Sequence, residues 1–496
     1  MTLLHTGKVL AFGGSGNDPA HLKNPFPPEI FNPNTGEVYS IPHRFDGDIF
    51  CAGHSFLADG RLLVSGGTYR YDRTIPGMPI AIPPFRGLEQ SYIFDPDNET
   101  WQRVEDMSHG RWYPTLVTLG DGSVLCMAGL TKRLFGLFLS TIEKFSPASG
   151  WEKVKHANRW LPLYPRLHLL PSGEVFYSGS YNTHMVYPFK LGHFPTATLD
   201  MDKLRWDEKG DLHRSQREEG ASVLLPLVSD HNYQPKIALI GGGTTTGTRA
   251  YADVEIMDFS ETKPRWRNAK QSMTNQRYYA YAVLLPNKEV LVVGGRKGTI
   301  GHHDHLHGGN EGHLHGGFES GSKLKCEVAQ DEKAIREPEM FDTEKEAWRP
   351  MAPMNVDRLY HSNALLLPDG RVLVAGSNPE RTRNELCIEV FRPPYLCSDH
   401  RPEIEDSPAE ISYGNSFESR THDASQIRAV ALMRPSATTH CVDTEQRYVG
   451  LDFDVKKGKI VAVAPGNPNI APPGYYMLFI IDEEGIPSRA NFLHLS

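Results

Sequence analysis

A short pattern of apolar strand, turn, apolar strand and Gly pair recurs along most of the chain. It begins with 3-LLHTGKVLAFGG-14 and 56-FLADGRLLVSGG-67, and its seventh copy is 364-ALLLPDGRVLVAG-376. After most copies a third strand ends near a Trp, as in 93-IFDPDNETW-101. Period-2 patterning, turn residues between strands and a repeat of roughly 50 residues are typical of a β-propeller with four-stranded blades. Seven copies therefore predict seven blades.

The end of the repeat region predicts a second domain. The seventh copy runs into 387-CIEVFRPPYL-396 without a following Trp strand, so we expect either a last blade that is one strand short or a true start upstream of Met1. Beyond it, short alternating strands with Pro-rich stretches are typical of a β-sandwich of about 100 residues. The prediction is an all-β protein with a seven-bladed propeller over residues 1–396 and an immunoglobulin-like β-sandwich over 397–496.

Composition and charge exclude several partners. Of 496 residues, 39% are hydrophobic and 23% charged, and the net charge is −8. Without a dense basic patch, we expect neither nucleic acid nor an anionic membrane as a partner. Since no apolar run approaches the roughly 18–20 residues that a membrane helix needs, we expect no membrane span. We also expect a monomer.

The start of the chain and its cysteines leave alternatives open. Met1 is followed at once by a strand pattern without the features of a signal peptide, which predicts a cytoplasmic protein if Met1 is the true start. Six scattered Cys are not typical of a disulfide scaffold in so long a chain. Cys387 and Cys397 are close enough in sequence to pair, and buried free thiols are an equally good interpretation.

One register position of the repeat changes its chemistry from copy to copy. Eight places before the turn, the copies carry a set of potent side chains: Cys51, Tyr113, Tyr164, Tyr279 and His361, with Glu219 indicated by the irregular fifth copy. Because the first strand of each propeller blade lines the central axis, these residues should form a ring at one depth. Sulfur, phenol and imidazole groups suit a metal or a redox group. The alternative is a ring of ordinary half-buried residues around ordered water.

Four motifs carry a resemblance to a known family. FCAG (50–53), GRWYPT (110–115), RLYHSNALLLPDGR (358–371) and TTHCVDTEQR (438–447) resemble the galactose oxidase and glyoxal oxidase family of copper radical oxidases. The resemblance covers almost the whole chain and implies a kelch-type propeller with a C-terminal early-set domain. GRWYPT and 163-LYPRLHLLPSGEVF-176 look more like the glyoxal oxidase branch.

The resemblance implies a role for each of five residues. Cys51 would form a thioether to the ring of Tyr113, which would be an equatorial copper ligand and the site of a radical. Tyr360 would be the axial ligand and the base that takes the substrate's hydroxyl proton. His361 and His440 would be the imidazole ligands, with His440 supplied by a hairpin of the sandwich.

This ligand set agrees with the chemistry of copper. Two imidazole nitrogens and phenolate oxygens in a tetragonal set suit Cu(II) better than zinc or magnesium. Oxidation of an alcohol or aldehyde removes two electrons, and one copper ion takes only one. A ligand that can itself be oxidised takes the other, and an ortho thioether makes a tyrosyl radical easier to form.

The sequence departs from galactose oxidase at two places. An aromatic residue that would stack over the cross-link is expected within 128-AGLTKRLFG-136, where Thr131 stands near the place and Phe135 is the neighbouring candidate. The Arg that grips a sugar hydroxyl has no clear match, and Arg214 and Arg217 are loose candidates. Tyr279 and Tyr164 are further candidates for facing the substrate.

A His-rich segment lies between the sixth and seventh repeats. Its six His are at 302, 303, 305, 307, 313 and 315. The favoured interpretation is a surface loop with incidental metal affinity, and the alternative is a loop that collects copper.

These features predict an oxidoreductase. We expect a copper-dependent oxidase that converts a small aldehyde or primary alcohol and reduces O₂ to H₂O₂, with one copper per chain and, by resemblance, an extracellular location. The alternatives are a non-catalytic kelch propeller that binds protein or carbohydrate, and a carbohydrate-binding wall protein that keeps the fold without radical chemistry.

Overall fold

The chain folds into β-sheets joined by turns. The structure is a computed structural model that describes residues 1–71, 85–133, 138–181, 195–214, 217–244, 249–298, 331, 333–378, 384–456 and 458–496. Within these ranges there is no α-helix, and the short 3₁₀ helices are Pro19–His21, Ser229–His231, Pro394–Cys397 and Ala424–Gln426. The all-β prediction is confirmed.

Seven antiparallel sheets follow one another along the chain, and we number them blades 1 to 7. Blade 1 consists of Thr2–Leu3, Val9–Ala11, Glu29–Phe31 and Val38–Ser40. Blade 2 consists of Gly53–Phe56, Leu62–Ser65, Ser91–Asp95 and Thr100–Val104. Blade 3 consists of Thr115–Thr118, Val124–Met127, Ile142–Ser146 and Gly150–Val154. Blades 4 and 5 consist of Leu167–Leu169, Val175–Tyr177, Thr196–Asp200 and Arg205–Gly210; and Ala221–Leu224, Lys236–Ile240, Val254–Asp258 and Trp266–Asn268. Blades 6 and 7 consist of Tyr281–Leu284, Val290–Val293, Glu339–Asp342 and Ala347–Pro350; and Asn363–Leu366, Val372–Ala375 and Ile388–Phe391.

The blades form a closed ring, which confirms the seven-bladed propeller. The first strand of each blade lies innermost, and the inner strand of blade 7 lies beside that of blade 1. Within the described residues, blade 7 has three strands where each of the other blades has four. Both expectations for the last blade, a blade one strand short and a start upstream of Met1, stay predictions.

A buried ion pair braces four of the blades. In each, an Arg just before the inner strand pairs at 2.8–3.0 Å with a Glu on the third strand. The pairs are Arg111–Glu143, Arg217–Glu255, Arg277–Glu339 and Arg358–Glu389. The same guanidinium groups donate to carbonyl oxygens at the end of the second strand, in the Gly-pair region. Because charge and hydrogen bonds are both satisfied, these arginines tolerate full burial.

The C-terminal residues form a separate pair of sheets. The larger has the order Leu227–Val228, Arg447–Leu451, Ile427–Arg434, Gly474–Asp482, Asn491–Leu495 and Glu410–Ile411. The smaller has the order Ser416–Arg420, Lys459–Val463 and Phe453–Lys456. The strand Leu227–Val228 belongs to the propeller part of the sequence, so this sheet joins the two halves of the protein. The domain boundary between residues 396 and 397 stays a prediction.

The short strands not yet placed form three small pairs. They are Thr68–Arg70 with Arg86–Gly87, Ser180–Tyr181 with Arg217–Glu218, and Thr438–Thr439 with Val442–Asp443.

A hairpin of the C-terminal part enters the axial channel of the propeller. We call residues 436–446 the axial hairpin; its strands are Thr438–Thr439 and Val442–Asp443. The amide of Leu3 donates to the carbonyl of Ser436 at 2.9 Å. The hydroxyl of Thr444 donates to the carbonyl of Leu116 at 2.7 Å. The hairpin is therefore held by the inner strands of blades 1 and 3.

One carboxylate anchors the base of this hairpin. Oε1 of Glu445 accepts hydrogen bonds from the Ser55 hydroxyl, from the Phe56 amide at 3.2 Å and from the Thr118 hydroxyl at 3.1 Å. Its Oε2 pairs with the guanidinium of Arg434, and both side chains are buried. Glu445 thus ties the hairpin to blades 2 and 3 while its charge is balanced by its own domain.

Most of the cysteines in the described ranges are unpaired. Cys51, Cys126, Cys397 and Cys441 are free, whereas Cys387 is disulfide-bonded. The possible Cys387–Cys397 disulfide is therefore wrong, because Cys397 remains an exposed thiol. The described part contains no helix that is long and apolar enough to cross a membrane.

Replacing Glu445 with Gln should destabilise the folded protein. Arg434 keeps its carbonyl partners but loses its buried counter-charge, which costs about 3 kcal/mol. The free energy of unfolding in urea measures the loss. Glu418→Gln is the control, because Glu418 pairs with Lys459 at the exposed surface and its loss should leave the midpoint unchanged. Equal midpoints for the two variants would contradict the anchoring role of Glu445.

Candidate metal centre

The residues of the predicted axial ring share an unusual backbone conformation. All six have a positive φ between 43° and 66°, in the left-handed region. They are Cys51, Tyr113, Tyr164, Glu219, Tyr279 and His361. For a non-glycine residue this conformation costs about 1–2 kcal/mol, and such strain is concentrated at functional sites. It turns the side chain towards the axis just before the inner strand begins.

Backbone hydrogen bonds connect ring residues of neighbouring blades. The amide of Tyr113 donates to the carbonyl of Cys51 at 3.1 Å, and that of Tyr164 donates to the carbonyl of Tyr113 at 2.9 Å. On the other side of the ring, the amide of Tyr279 donates to the carbonyl of Glu219 at 3.2 Å. These bonds offset part of the strain and fix the spacing between successive side chains.

Blade 7 delivers two functional side chains where other blades deliver one. In blades 3, 5 and 6 a single residue separates the blade-bracing Arg from the ring residue, as in Arg277-Tyr278-Tyr279. In blade 7, both Leu359 and Tyr360 stand between Arg358 and His361. The extra residue allows Tyr360 and His361 to face the axis together, with ring centroids 3.7 Å apart.

His440 reaches the same place from the tip of the axial hairpin. His440 and Cys441 form the two-residue turn of this hairpin, with φ of 48° and 59°. Two successive left-handed residues are typical of the tight hairpin turn usually made by Asn-Gly. The imidazole of His440 lies 4.5 Å from that of His361 and 4.7 Å from the ring of Tyr113, measured between centroids.

Two phenols and two imidazoles therefore converge at the axis. The phenol oxygens of Tyr113 and Tyr360 are 2.5 Å apart, within hydrogen-bond distance. The thiol sulfur of Cys51 lies 4.0 Å from Nε2 of His440. The structure thus brings together all five residues that the motifs single out, although their catalytic and ligand roles stay predictions.

Neighbouring polar groups orient the two imidazoles. Nδ1 of His361 lies 3.2 Å from Oδ1 of Asn378, and Nδ1 of His440 lies 2.7 Å from the hydroxyl of Thr439. Such contacts at one ring nitrogen fix the ring plane and assign the other as the ligating atom. Nε2 is then the nitrogen that each ring would offer to a metal.

The donor set fits copper. In the described part of the chain, no group of three or more His, Cys, Asp and Glu side chains is placed to hold a metal, so a metal here needs the phenols as well. Two imidazole nitrogens with two phenol oxygens form the mixed N and O set that Cu(II) prefers.

The buried phenols are protonated in the metal-free protein. Burial, and then the neighbouring Cys51 and Tyr360, raises the pKa of the Tyr113 phenol well above its ordinary value. Burial, and then the carboxylate of Glu219, does the same to the pKa of Tyr360. Since a ligating phenol must lose its proton, a metal ion that binds here displaces protons.

An aromatic residue that sequence reasoning missed covers Tyr113. The indole of Trp112 stacks on the ring of Tyr113 with centroids 3.7 Å apart and planes 13° apart. Phe85 stacks on the other face of the Trp112 indole, with centroids 4.3 Å apart. Thr131 is buried, and Phe135 lies outside the described residues. The place expected for a stacking aromatic is thus served by the Trp of the GRWYPT motif itself.

The predicted substrate residues fall into two groups. Tyr164 and Tyr279 are buried against the cluster, with Tyr164 donating to the carbonyl of Ala52 at 2.9 Å and Tyr279 lying 5.0 Å from the ring of Tyr360. Arg217 is one of the blade-bracing arginines, and Arg214 pairs with Asp253 at 3.2 Å. A substrate role for any of the four stays a prediction.

Phe50 marks the more open side of the cluster. Its ring makes an edge contact with His361 at 5.2 Å, and Phe50 and His361 are half-buried while Tyr113, Tyr360 and His440 are buried. Phe50 and His361 therefore form the less buried border of the cluster. The His-rich segment 302–315 lies outside the described residues.

The chain is similar to known oxidases. The family described as galactose oxidase-like, early set domain, matches residues 401–495. An aldehyde oxidase named GLOX from Vitis pseudoreticulata is 28% identical, with 94% of this chain and 85% of that protein covered. A galactose oxidase from Gibberella zeae is 24% identical over 90% of this chain, which spans 61% of that protein.

A solved structure shares the fold. It is described as a fungal alcohol oxidase with catalytic diversity among the AA5 family, in complex with copper. It superposes with a TM-score of 0.77 at 22% identity and covers 100% of this chain and 96% of its own.

Cys51 should resist alkylation in the native, metal-free protein. Burial raises the pKa of the Cys51 thiol well above its ordinary value, and only the thiolate attacks an alkylating reagent. Peptide mass mapping after iodoacetamide treatment should find Cys397, which is exposed, modified first. In denaturant both should react. Labelling of native Cys51 at the rate of Cys397 would contradict the buried position of this thiol.

Proposed function

We propose that this chain, which resembles the galactose oxidase and glyoxal oxidase family over at least 90% of its length, is a copper radical oxidase. It oxidises a small aldehyde or primary alcohol and reduces O₂ to H₂O₂. The observation that carries the proposal is that two phenols, two imidazoles and a thiol converge on the propeller axis. Each imidazole is oriented by a polar contact at its Nδ1. Mere packing does not require such a set of groups.

Four side chains would hold the metal. They are Tyr113 and Tyr360 through their phenol oxygens, and His361 and His440 through Nε2. Copper, when bound, would supply the capacity to take up one electron at a time. The protein would contribute a preorganised set of donors, because three of the four side chains are buried. In addition, Asn378 and Thr439 contact Nδ1 of the two imidazoles.

Cys51 and Tyr113 would be joined by a thioether. The bond forms between Sγ and the ring carbon ortho to the phenol oxygen, and it breaks one S–H and one C–H bond. The two protons and two electrons released would pass to O₂, which would become H₂O₂. The sulfur then donates electron density to the ring, which makes one-electron oxidation of Tyr113 easier. Trp112, stacked on that ring, would keep water and other reactants away from the radical.

Tyr360 would act as the base. A free phenol has a pKa of about 10, so at neutral pH it still carries its own proton and cannot act as a base. Once Tyr360 has given up that proton on binding the metal, its oxygen can accept the proton of a substrate hydroxyl. The 2.5 Å separation of the two phenol oxygens brings this base next to the proposed radical site.

Tyr113 would take the hydrogen atom from the substrate carbon. An alcohol then loses a proton to Tyr360, a hydrogen atom to Tyr113 and one further electron, which together make its two-electron oxidation to the aldehyde. O₂ takes up two electrons and two protons and leaves as H₂O₂. An aldehyde could enter the same sequence as its hydrate.

The surroundings of the site favour small substrates. Phe50 and His361 border the more open side, and Arg217 is engaged in bracing blade 5. Glyoxal-type aldehydes and simple alcohols are therefore the first substrates to test, ahead of sugars.

Copper and oxygen should generate the Cys51–Tyr113 cross-link. In protein produced without copper, the two tryptic peptides should be separate; after aerobic copper loading, mass spectrometry should find them joined with the loss of two hydrogens. Cys126→Ala is the matched control, because this thiol is also buried and free but lies on the second strand of blade 3, outside the ring register, and its loss should leave the cross-link intact. Full alkylation of Cys51 in the loaded, denatured protein would exclude the thioether.

Tyr113→Phe should retain some copper and lose nearly all turnover. Phenylalanine cannot hold the radical, whereas the other three ligands remain. A peroxidase-coupled assay across aldehydes, alcohols and sugars measures the peroxide formed. Tyr177→Phe, a buried tyrosine of blade 4 away from the ring register, is the control and should keep full turnover. Absence of peroxide from wild-type protein that carries both copper and cross-link would instead support a binding protein.

A further inference from the structure

The tip of the axial hairpin needs an external support. His440 and Cys441 both have left-handed backbones, and neither is the Gly or Asn that relieves such a turn. The imidazole of His440 can reach the cluster only while this turn is kept. The anchor at Glu445 lies at the base of the hairpin, five residues beyond His440, so it does not fix the tip by itself.

Arg166 contacts the tip directly. Its Nη2 donates to the carbonyl oxygen of His440 at 3.0 Å, while its Nη1 donates to that of Tyr164 at 2.8 Å. Its Nε donates to the carbonyl of Gly220 at 3.3 Å. One guanidinium thus joins the hairpin tip to the ring positions of blades 4 and 5.

Glu219 supplies the counter-charge. Its carboxylate lies 3.7 Å from Nη2 of Arg166, and both side chains are almost fully buried. Glu219 also belongs to the axial ring, where its carbonyl accepts the amide of Tyr279. The ion pair therefore couples the tip of the hairpin to the backbone ring that carries the phenols.

Arg166 differs from the other deeply buried arginines. Arg111, Arg217, Arg277 and Arg358 each pair with a Glu on the third strand of their own blade and with a carbonyl at its Gly-pair region. Arg166 follows its ring residue in sequence, and its guanidinium contacts residues outside blade 4. Bracing of a blade explains the first four arginines and does not explain the fifth.

We propose that Arg166, held by Glu219, is the positioning residue that sets the place of His440 relative to the two phenols. The inference rests on the proposed function, since it concerns the metal ligand that the hairpin contributes. Arg166 itself touches neither substrate nor metal: it acts through the backbone carbonyl of His440.

Paired Arg→Lys variants test this inference. Arg166→Lys keeps the positive charge beside Glu219 but cannot donate to the carbonyls of Tyr164 and His440 together. Arg277→Lys is the matched control, because Arg277 is equally buried and paired with Glu339 but does not support the hairpin. Both should lower the unfolding midpoint. Arg166→Lys alone should weaken Cu(II) affinity about tenfold or more and change the copper hyperfine splitting in the EPR spectrum.

Two results would overturn the inference. One is an Arg166→Lys protein with wild-type copper affinity and EPR spectrum. The other is an equal loss in the Arg277→Lys protein, which would mean that general destabilisation weakens the site. If Arg166→Lys does not fold, Glu219→Gln replaces it. We then expect a smaller loss of Cu(II) affinity and a smaller change in the EPR spectrum. Unchanged Cu(II) binding by Glu219→Gln would count against the inference.

Hydrogen exchange separates this inference from the proposed function. In metal-free protein, the peptide spanning residues 436–446 should exchange faster in Arg166→Lys than in wild type or Arg277→Lys. If wild-type protein binds no copper tightly, the proposed function fails while the exchange result still decides whether Arg166 holds the hairpin. Equal exchange in all three proteins would overturn the positioning role.

Discussion

Left-handed backbone before the inner strands of blades 2 to 7 is the constraint on which the axial site depends. A strand that follows the propeller axis would otherwise direct alternate side chains into the neighbouring blades. A single left-handed residue before the inner strand redirects a side chain to the axis in each of these six blades, as it does for Cys51 and Tyr113. The strain is sustained because cross-blade hydrogen bonds and fully packed inner strands leave the chain no alternative path.

Buried charge organises the surroundings of this site, while the two phenols of the site are uncharged. Arginine–glutamate pairs brace the blades, and the Glu445–Arg434 pair serves the hairpin, so each ion has a partner that moves with it. The phenols of Tyr113 and Tyr360, by contrast, stay protonated in the metal-free state because burial opposes their ionisation. Binding of a metal ion by these phenols would therefore exchange protons for a cation, at a place where the donors are already close together.

The sequence predicts the scaffold and part of the site, for different physical reasons. Seven strand–turn–strand copies predict seven blades because period-2 patterning directly reflects which faces are buried. The fixed spacing to the turn found Cys51, Tyr113 and His361, because a repeat keeps its register. Tyr360 and His440 lie outside that register and were identified only through the family motifs. One depends on an insertion in blade 7, and the other comes from a different domain.

Residues that act through neighbours were the ones missed. The stacking of Trp112 depends on how a strained residue turns the preceding side chain, which no periodicity reports. Arg166 looks like any other arginine near a strand until its contact with the His440 carbonyl is known. A signal did exist for Arg217: it stands two residues before its ring residue, as Arg111 and Arg277 do. That spacing groups Arg217 with the blade-bracing arginines.

The backbone of the ring also limits which side chains can replace one another there. Left-handed φ is strongly unfavourable for residues branched at Cβ, so Val, Ile and Thr are effectively barred from all six positions. Unbranched residues with polar or aromatic ends remain admissible, and these include most of the side chains that bind metals or transfer protons. At these six positions, the backbone conformation therefore limits tolerated substitutions to side chains that are more often chemically reactive. A laboratory library restricted to Cβ-unbranched residues at these six places would sample new chemistry while leaving the propeller folded.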